Sequence, residues 1–292
     1  MRLTGLNDVK PRPRRVALGE FDGVHVGHRE VIAGCDTVLT FEPHPAVVLT
    51  PERAPKLLTD LERKAELIAE LDVAELVVVP FDERFARQPP SEFIDQVLVK
   101  RLGASSVSVG VNFRFGHAAR GDASLLAADP RFATRVADLV ELDGEPVSSS
   151  RIRRLVAEGA VADAARLLGR PFSLRGVVLA GDRRGRELGF PTANLACDPQ
   201  LACPAYGVYA CRAGEHAAAV SVGVRPTFGA GGQPLVEAFL IDYEGDLYGQ
   251  RLTVDFVARL RDEQRFASAG ELVRQMRRDV ERTRELLASV PT

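Results

Sequence analysis

The chain has 292 residues, 46% of them hydrophobic and 27% charged, which is enough for two compact domains with a core each. A formal net charge of −2 gives no electrostatic drive toward nucleic acid or an acidic lipid surface, and no stretch reaches the roughly 18 consecutive apolar residues of a membrane helix. Cys35, Cys197, Cys203 and Cys211 form no C-x-x-C pair, so free thiols are expected rather than a disulfide framework or a zinc site; with no apolar signal-peptide core at the N-terminus, a cytoplasmic protein is expected.

In chain order, residues 1–14 with Pro11 and Pro13 read as a lead-in, and 15–18 as a first strand. The next ten residues, Gly19-Glu20-Phe21-Asp22-Gly23-Val24-His25-Val26-Gly27-His28, form a turn and open a helix near His25. A strand, a glycine-containing turn and a helix N-terminus suit a phosphate chain. The first N–H groups of a helix have no internal partner, and the helix dipole adds partial positive charge there. His25 and His28 share one face of the first turn and can aim two imidazole donors at one anion. Gly23 and Gly27 let a ligand approach the backbone closely. Two histidines alone fit a plain surface turn better than an anion site; the whole string is much more specific.

A brief helix to about Gly34 leads to a strand at 36–41, which Glu42-Pro43-His44-Pro45 ends. The crossover between these strands is very short for a βαβ unit. Thr59 to Glu62 forms a capping box, and Leu61, Ala65, Ile68 and Leu71 give the following helix an apolar stripe. A strand at 75–80, a helix at 91–102 and a strand at 105–109 follow. This alternation predicts a buried parallel sheet. Gly110 to Gly116 then presents Asn112, Phe113, Arg114 and Phe115, an amide, a guanidinium and two rings suited to a flat heterocycle carrying a phosphate, or a loop whose phenylalanines plug the core. Ser148-Ser149-Ser150-Arg151 opens a helix that closes at Gly159, where hydroxyls and arginines can hold phosphate oxygens or only cap the helix. A helix at 162–168 precedes a boundary that divides the chain into domains 1–170 and 171–292.

Beyond Phe172 short strands separated by Gly-rich turns predict a small β-barrel, at 174–180, 207–212, 217–222, 235–242 and 251–260. A second capping box at Ser268–Glu271 opens a last helix, whose face of Leu272, Met276, Val280 and Leu287 is expected to pack on the barrel. Gly181, Gly185, Arg186 and Gly189 read as a mobile surface loop when taken alone. Pro191-Thr192-Ala193-Asn194 places a hydroxyl and an amide on one face of an extended segment, where oxygen ligands can serve a magnesium–phosphate group. Glu237 interrupts an apolar run, and partial desolvation there raises the basicity of a carboxylate; an edge-strand glutamate facing water fits as well.

The first motif resembles the H-x-G-H signature of nucleotidylyltransferases. In the form G-x-F-D-G-V-H-x-G-H it is similar to the bacterial bifunctional riboflavin kinase/FAD synthetases. The segments Thr40 to Pro45, Gly110 to Gly116, Ser148 to Arg153, Pro191 to Asn194, Val222 to Gly229 and Val236 to Gly249 continue the resemblance in order, from about Leu3 to about Leu287. It implies a Rossmann-like N-terminal adenylyltransferase domain and a C-terminal riboflavin-kinase barrel with a terminal helix. In the first, it implies that Gly19, Phe21, Asp22, Gly23, His25, His28, Ser149, Ser150 and Arg151 bind ATP, the two histidines polarising its phosphates. Asn112, Phe113, Arg114 and Phe115 would shape the flavin site. In the second, Thr192 and Asn194 would hold Mg2+–ATP beneath a flap of Gly181, Gly185, Arg186 and Gly189 beside Pro191, and Glu237 would be the catalytic base. The implied reactions convert riboflavin to FMN and FMN to FAD with ATP. The expected partners are these small molecules, without nucleic acid or membrane, and the expected state is a monomer or weak homo-oligomer.

Three departures from the family pattern stand out: the first helix is short, Glu20 stands where Asn is common, and Ala118-Ala119 follow the F-G pair. They leave two alternatives open, a riboflavin kinase with a weak or lost adenylyltransferase half and a flavin-binding protein without turnover.

Overall fold

The computed structural model describes residues 1–179, 190–224 and 234–288, in two compact units, Met1–Ser149 and Ser150–Thr292. The first is built on six parallel strands, β1 (Arg2–Gly5), β2 (Arg14–Leu18), β3 (Thr37–Glu42), β4 (Glu75–Pro80), β5 (Ala104–Gly110) and β6 (Ala133–Ala137), in the order β1-β4-β3-β2-β5-β6. Alternate residues serve opposite faces: Val16, Leu18, Leu39 and Val77 enter one core, and Ala17, Val38 and Leu76 the other. With both faces covered, the strands read as nearly continuous apolar runs. Strand order reverses at β2, whose neighbours are β3 on one side and β5 on the other, and ligands of such sheets bind where strand ends diverge in this way.

Helix α1 (Val26–Ile32) is indeed short. Its C-terminal carbonyls are closed by Arg135 of β6, whose guanidinium donates to the Ala33 carbonyl at 3.0 Å and to that of Glu30, a cation at the negative end of the helix dipole. The next long helix, α2 (Leu61–Ala69), corrects the expected cap. Asp60, not Thr59, is its N-cap, accepting from Arg63 N at 2.6 Å. Thr59 turns the other way and accepts from Gly23 N at 3.1 Å. The helix expected at 91–102 is a turn at Pro90–Glu92 running into a π-helix at Phe93–Arg101, with Leu102 N bonded to Val97 O, five residues back. The supposed lead-in contains β1, and neither it nor β6 was expected.

The second unit begins with α3 (Ser149–Glu158), which spans the division, and α4 (Val161–Leu168), which ends at left-handed Gly169. Six antiparallel strands then close a barrel: β7 (Phe172–Leu179), β8 (Ala193–Cys197), β9 (Gly207–Ala213), β10 (His216–Val224), β11 (Pro234–Leu240) and β12 (Arg251–Arg261), in the order β7-β8-β11-β10-β9-β12. Because α4 packs on β7 and β12, the compact units part before the change of rhythm at Phe172. The final helix, α5 (Ala269–Ala288), opens on its capping box, with Glu271 N donating to Ser268 Oγ and Ala267 N to Glu271 Oε2. Its buried positions are Asp279, Thr283 and Leu287; Leu272, Met276 and Val280, expected to pack on the barrel, are only half-buried.

Candidate active sites

The turn after β2 is wound tightly. Phe21 and Val24 have φ of 53° and 42°, left-handed values that a non-glycine residue adopts only when its surroundings hold it there. The buried Phe21 ring lies against Gly19 so closely that a Cβ there would stand 2.8 Å from Phe21 Cζ, which explains the glycine. Asp22 is buried, and its Oδ1 accepts from the backbone N–H of Leu58 and Thr59 at 2.9 and 3.1 Å. That carboxylate fastens the turn to the segment entering α2. Ser149 Oγ closes the turn from the other side, donating to the Asp22 carbonyl at 2.9 Å. Ser150 is exposed and Arg151 half-buried in the next positions of α3, across the division into the second unit.

His25 is not inside the helix but is its N-cap: its Nδ1 accepts from His28 N at 3.2 Å. An accepting Nδ1 places the neutral imidazole's proton on Nε2 and leaves that atom as a donor. The His25 and His28 rings stack with centroids 3.5 Å apart and an interplanar angle of 17°, and Phe21 meets His28 edge-on at 5.3 Å. Both imidazoles are thus held side by side at the start of α1, a geometry fitted to one polyanion.

Beside them is a group that sequence reasoning missed. Lys64 of α2, 4% exposed in its side chain, donates to Glu20 Oε1 at 2.9 Å and to Thr40 Oγ1 at 3.4 Å, and Thr40 Oγ1 donates to the Glu20 carbonyl at 2.9 Å. Burial pushes the Glu20 carboxyl up to about 7, opposed by Lys64 and reinforced by the Asp22 and Glu42 carboxylates. Burial also raises Glu42, against the pull of Lys64. The sequence carried one signal of this: Lys64 lies on the inward face of α2 with Leu67 and Ile68.

The 110–116 loop leaves β5 at the same C-terminal sheet edge, since β5 runs parallel to β2 with Ser108 beside Ala17. Asn112 is exposed and Phe113 half-buried. Arg114 pairs with Asp122 at 2.9 Å. Phe115 is buried against Phe93, with ring centroids 5.3 Å apart, and stacks at 5.8 Å with Phe113. Phe115 belongs to the core, and Phe113, partly buried, packs against the same cluster.

In the second unit the strand register assembles a different row. Glu237 of β11 stands opposite Asn194 of β8 on one side and Ser221 of β10 on the other. Residues directly opposite share a sheet face. Along β11, Val236, Ala238 and Leu240 are buried while Leu235, Glu237 and Phe239 are half-buried, so the row faces out of the barrel. It lines a cavity of about 1260 Å³ together with Thr192. Phe266 and the α5 residues Leu272, Met276, Asp279 and Val280 also line it. Ser221 was not singled out from the sequence; register with Glu237, visible only once β10 and β11 pair, identifies it. Pro191 is exposed at the rim. Gly181, Gly185, Arg186 and Gly189, and the continuation of the 222–229 segment from Arg225, lie outside the described residues.

The Thr192 hydroxyl and Asn194 amide are oxygen donors two residues apart beside a carboxylate, which fits Mg2+; this ion takes few protein ligands and completes its shell with water and phosphate. Among the described residues no cluster of three or more His, Cys, Asp or Glu offers a metal site of another kind. All four cysteines are free, and burial raises the Cys197 and Cys203 thiols to about 11 and 12, the unreactive side of thiol chemistry.

Comparison with known proteins agrees with this division. The family model described as FAD synthetase matches residues 8–151, and that described as riboflavin kinase matches residues 168–287. The bifunctional riboflavin kinase/FMN adenylyltransferase of Pseudomonas fluorescens is 38% identical over 97% of this chain and 97% of its own length. That of Listeria monocytogenes is 37% identical, covering 94% and 93%. A crystal structure titled macrolide-efflux protein from Streptococcus pneumoniae matches 97% of this chain and 99% of its own with a TM-score of 0.89 at 29% identity. No helix among the described residues is long and apolar enough to cross a membrane. With near-complete coverage on both sides and both halves matched in order, the chain belongs to the bifunctional riboflavin kinase/FMN adenylyltransferase family.

Proposed function

We propose that this chain makes FAD in two steps, as a riboflavin kinase in residues 171–292 and an FMN adenylyltransferase in residues 1–170. The observation that carries the reading is the Asn194–Glu237–Ser221 row with Thr192 in one cavity, in a chain whose other half holds two stacked histidines at a helix N-terminus. In the kinase step the riboflavin 5′-hydroxyl attacks the γ-phosphorus of ATP and ADP leaves. Glu237, half-buried and facing the cavity, accepts the hydroxyl proton. Thr192 and Asn194 would hold Mg2+, which when bound neutralises charge on the phosphates. Phe266 and the α5 stripe supply an apolar wall for the flavin ring.

In the adenylyltransferase step the FMN phosphate attacks the α-phosphorus of a second ATP and pyrophosphate leaves. The Nε2 donor of His25 and the adjacent His28 would face the phosphates at the start of α1. Gly19, Phe21, Asp22 and Gly23 shape the turn beneath, Ser149, Ser150 and Arg151 contribute to the ATP site, and Asn112, Phe113 and Arg114 form the flavin edge, with Phe115 supporting them from the core. No covalent enzyme intermediate is required; positioning and charge stabilisation suffice. The enzyme acts in the cytoplasm on small molecules, as a monomer or weak homo-oligomer.

The test is a pair of variants. Glu237→Ala should abolish FMN formation and leave FAD formation from supplied FMN, whereas His28→Ala should do the reverse. Loss of both activities in either folded variant would contradict the division of labour.

A further inference from the structure

Helix α5 is attached to the barrel in an unusual way. Its three buried positions are four residues apart, and two of them are the polar residues Asp279 and Thr283. The apolar residues Leu272, Met276 and Val280, also spaced by four, remain half-buried and line the cavity instead. An amphipathic helix ordinarily buries its apolar stripe. Here the stripe is left facing a space of about 1260 Å³, larger than most small-molecule sites.

A charged clamp joins the helix to β12, beside the buried Leu287 and the bond from Arg212 Nη2 to its carbonyl. Arg261, the last residue of β12, places Nε 3.1 Å from both carboxylate oxygens of Asp279 and Nη2 2.8 Å from Oδ2. Gln275 Nε2 adds a bond to Oδ1 at 2.9 Å, and Thr283 Oγ1 donates to the Asp279 carbonyl at 2.8 Å. The side chains are 15% and 7% exposed. The guanidinium also lies 5.7 Å from the Phe266 ring centroid, ordering the segment between β12 and α5. In that segment Glu263 lies over Gly223 of β10 so closely that a Cβ there would collide with it. A second ion pair between the helix and the rest of the unit, Arg284 with Asp242, is half or more exposed on both sides and contributes little.

We propose that Arg261 and Asp279 are positioning residues for the kinase step, holding the Leu272–Met276–Val280 stripe at the distance from the Asn194–Glu237–Ser221 row that admits a flavin ring. The apolar stripe is thereby kept for the ligand, and the polar clamp does the anchoring that apolar packing would otherwise do. Both residues of the pair also line the cavity, and the role assigned to them is to hold the stripe. The proposal rests on the reading of the barrel as a riboflavin kinase.

The test uses the full chain and two variants. Asp279→Asn removes the charge, and Arg261→Lys keeps it without the fork that spans both carboxylate oxygens. The KM for riboflavin, the KM for Mg–ATP and kcat for FMN formation are measured, with FAD formation from FMN and thermal melting as checks of integrity. The expected result is a rise in riboflavin KM of at least about tenfold while the ATP KM stays within about twofold. Asp279→Glu, which restores the carboxylate, should recover part of the loss. A riboflavin KM within about twofold of the unmodified chain, or an ATP KM that rises in parallel, would overturn the proposal. If Asp279→Asn does not fold, Arg261→Lys decides on the same readings. Absence of FMN formation by the unmodified chain would instead remove the kinase reading, and the proposal with it.

Discussion

Replacing Glu20 by Gln isolates one buried proton. In the native protein burial holds the Glu20 carboxyl near 7, against a reference of 4.5. Between those values the native state therefore binds more protons than the unfolded chain, and stability falls as pH rises through the window. A shift of this size corresponds to about 3 kcal/mol by pH 8, at 1.36 kcal/mol per unit. The figure is an upper one, since 22% of the side chain meets water. Gln mimics the protonated form, keeps a carbonyl for Lys64 to donate to, and cannot ionise. Urea unfolding of both proteins from pH 5 to pH 9, following the transition of the first unit, should show little difference at pH 5 and a more stable variant at pH 8. A smaller slope of the same sign should persist in the variant from Glu42, which burial also raises. Equal pH dependence in the two proteins would refute the reasoning. So would a variant less stable at pH 8, which would mean that the Lys64 ion pair outweighs the cost of burying the charge.

Other substitutions probe separate parts of the account. Asp60→Ala should cost about 1 kcal/mol through loss of the α2 N-cap, read as a lower urea midpoint. Thr59→Ala should instead loosen the 19–28 turn, whose Gly23 N–H donates to that hydroxyl, and raise the ATP KM of FAD formation. Glu75→Gln leaves the nearly buried guanidinium of Arg14 without its carboxylate and should cost about 3 kcal/mol at pH 7. Since Arg14 and its neighbours hold the Glu75 carboxyl below its usual range, the difference between this variant and the unmodified chain should fade as pH drops below the ordinary Glu range. Addition of EDTA should stop both conversions while leaving riboflavin binding measurable by fluorescence.

The sheet was legible where strands are covered on both faces. Glu75–Pro80 was read at its observed bounds because Leu76, Val77 and Val79 are wholly buried and leave an unbroken apolar run. The strands at the sheet edges, β1 and β6, carry mixed burial and no such run, and β8 is short and begins inside the Pro-Thr-Ala-Asn segment. Local capping chemistry was off by one residue at α2, since Thr59 and Asp60 are both good caps and only the distant turn at Gly23 decides between them. The histidines were read as two donors on one helix turn; that His25 is the cap depends on a dihedral the spacing does not reveal. The Glu20–Lys64 pair spans 44 residues of sequence, and the Asn194–Glu237–Ser221 row exists only through register. The expected packing of α5 on the barrel holds at Leu287, whereas Leu272, Met276 and Val280 are half-buried: helical periodicity marks the apolar face but not how much of it the barrel covers.

The measurement that tests the central claim most directly is chromatographic separation of flavins after the purified chain is incubated with Mg–ATP and either riboflavin or FMN. The account predicts FMN followed by FAD from riboflavin, and FAD from FMN. FMN as the end product would show that the adenylyltransferase half does not turn over, and no conversion of either flavin would contradict the account as a whole.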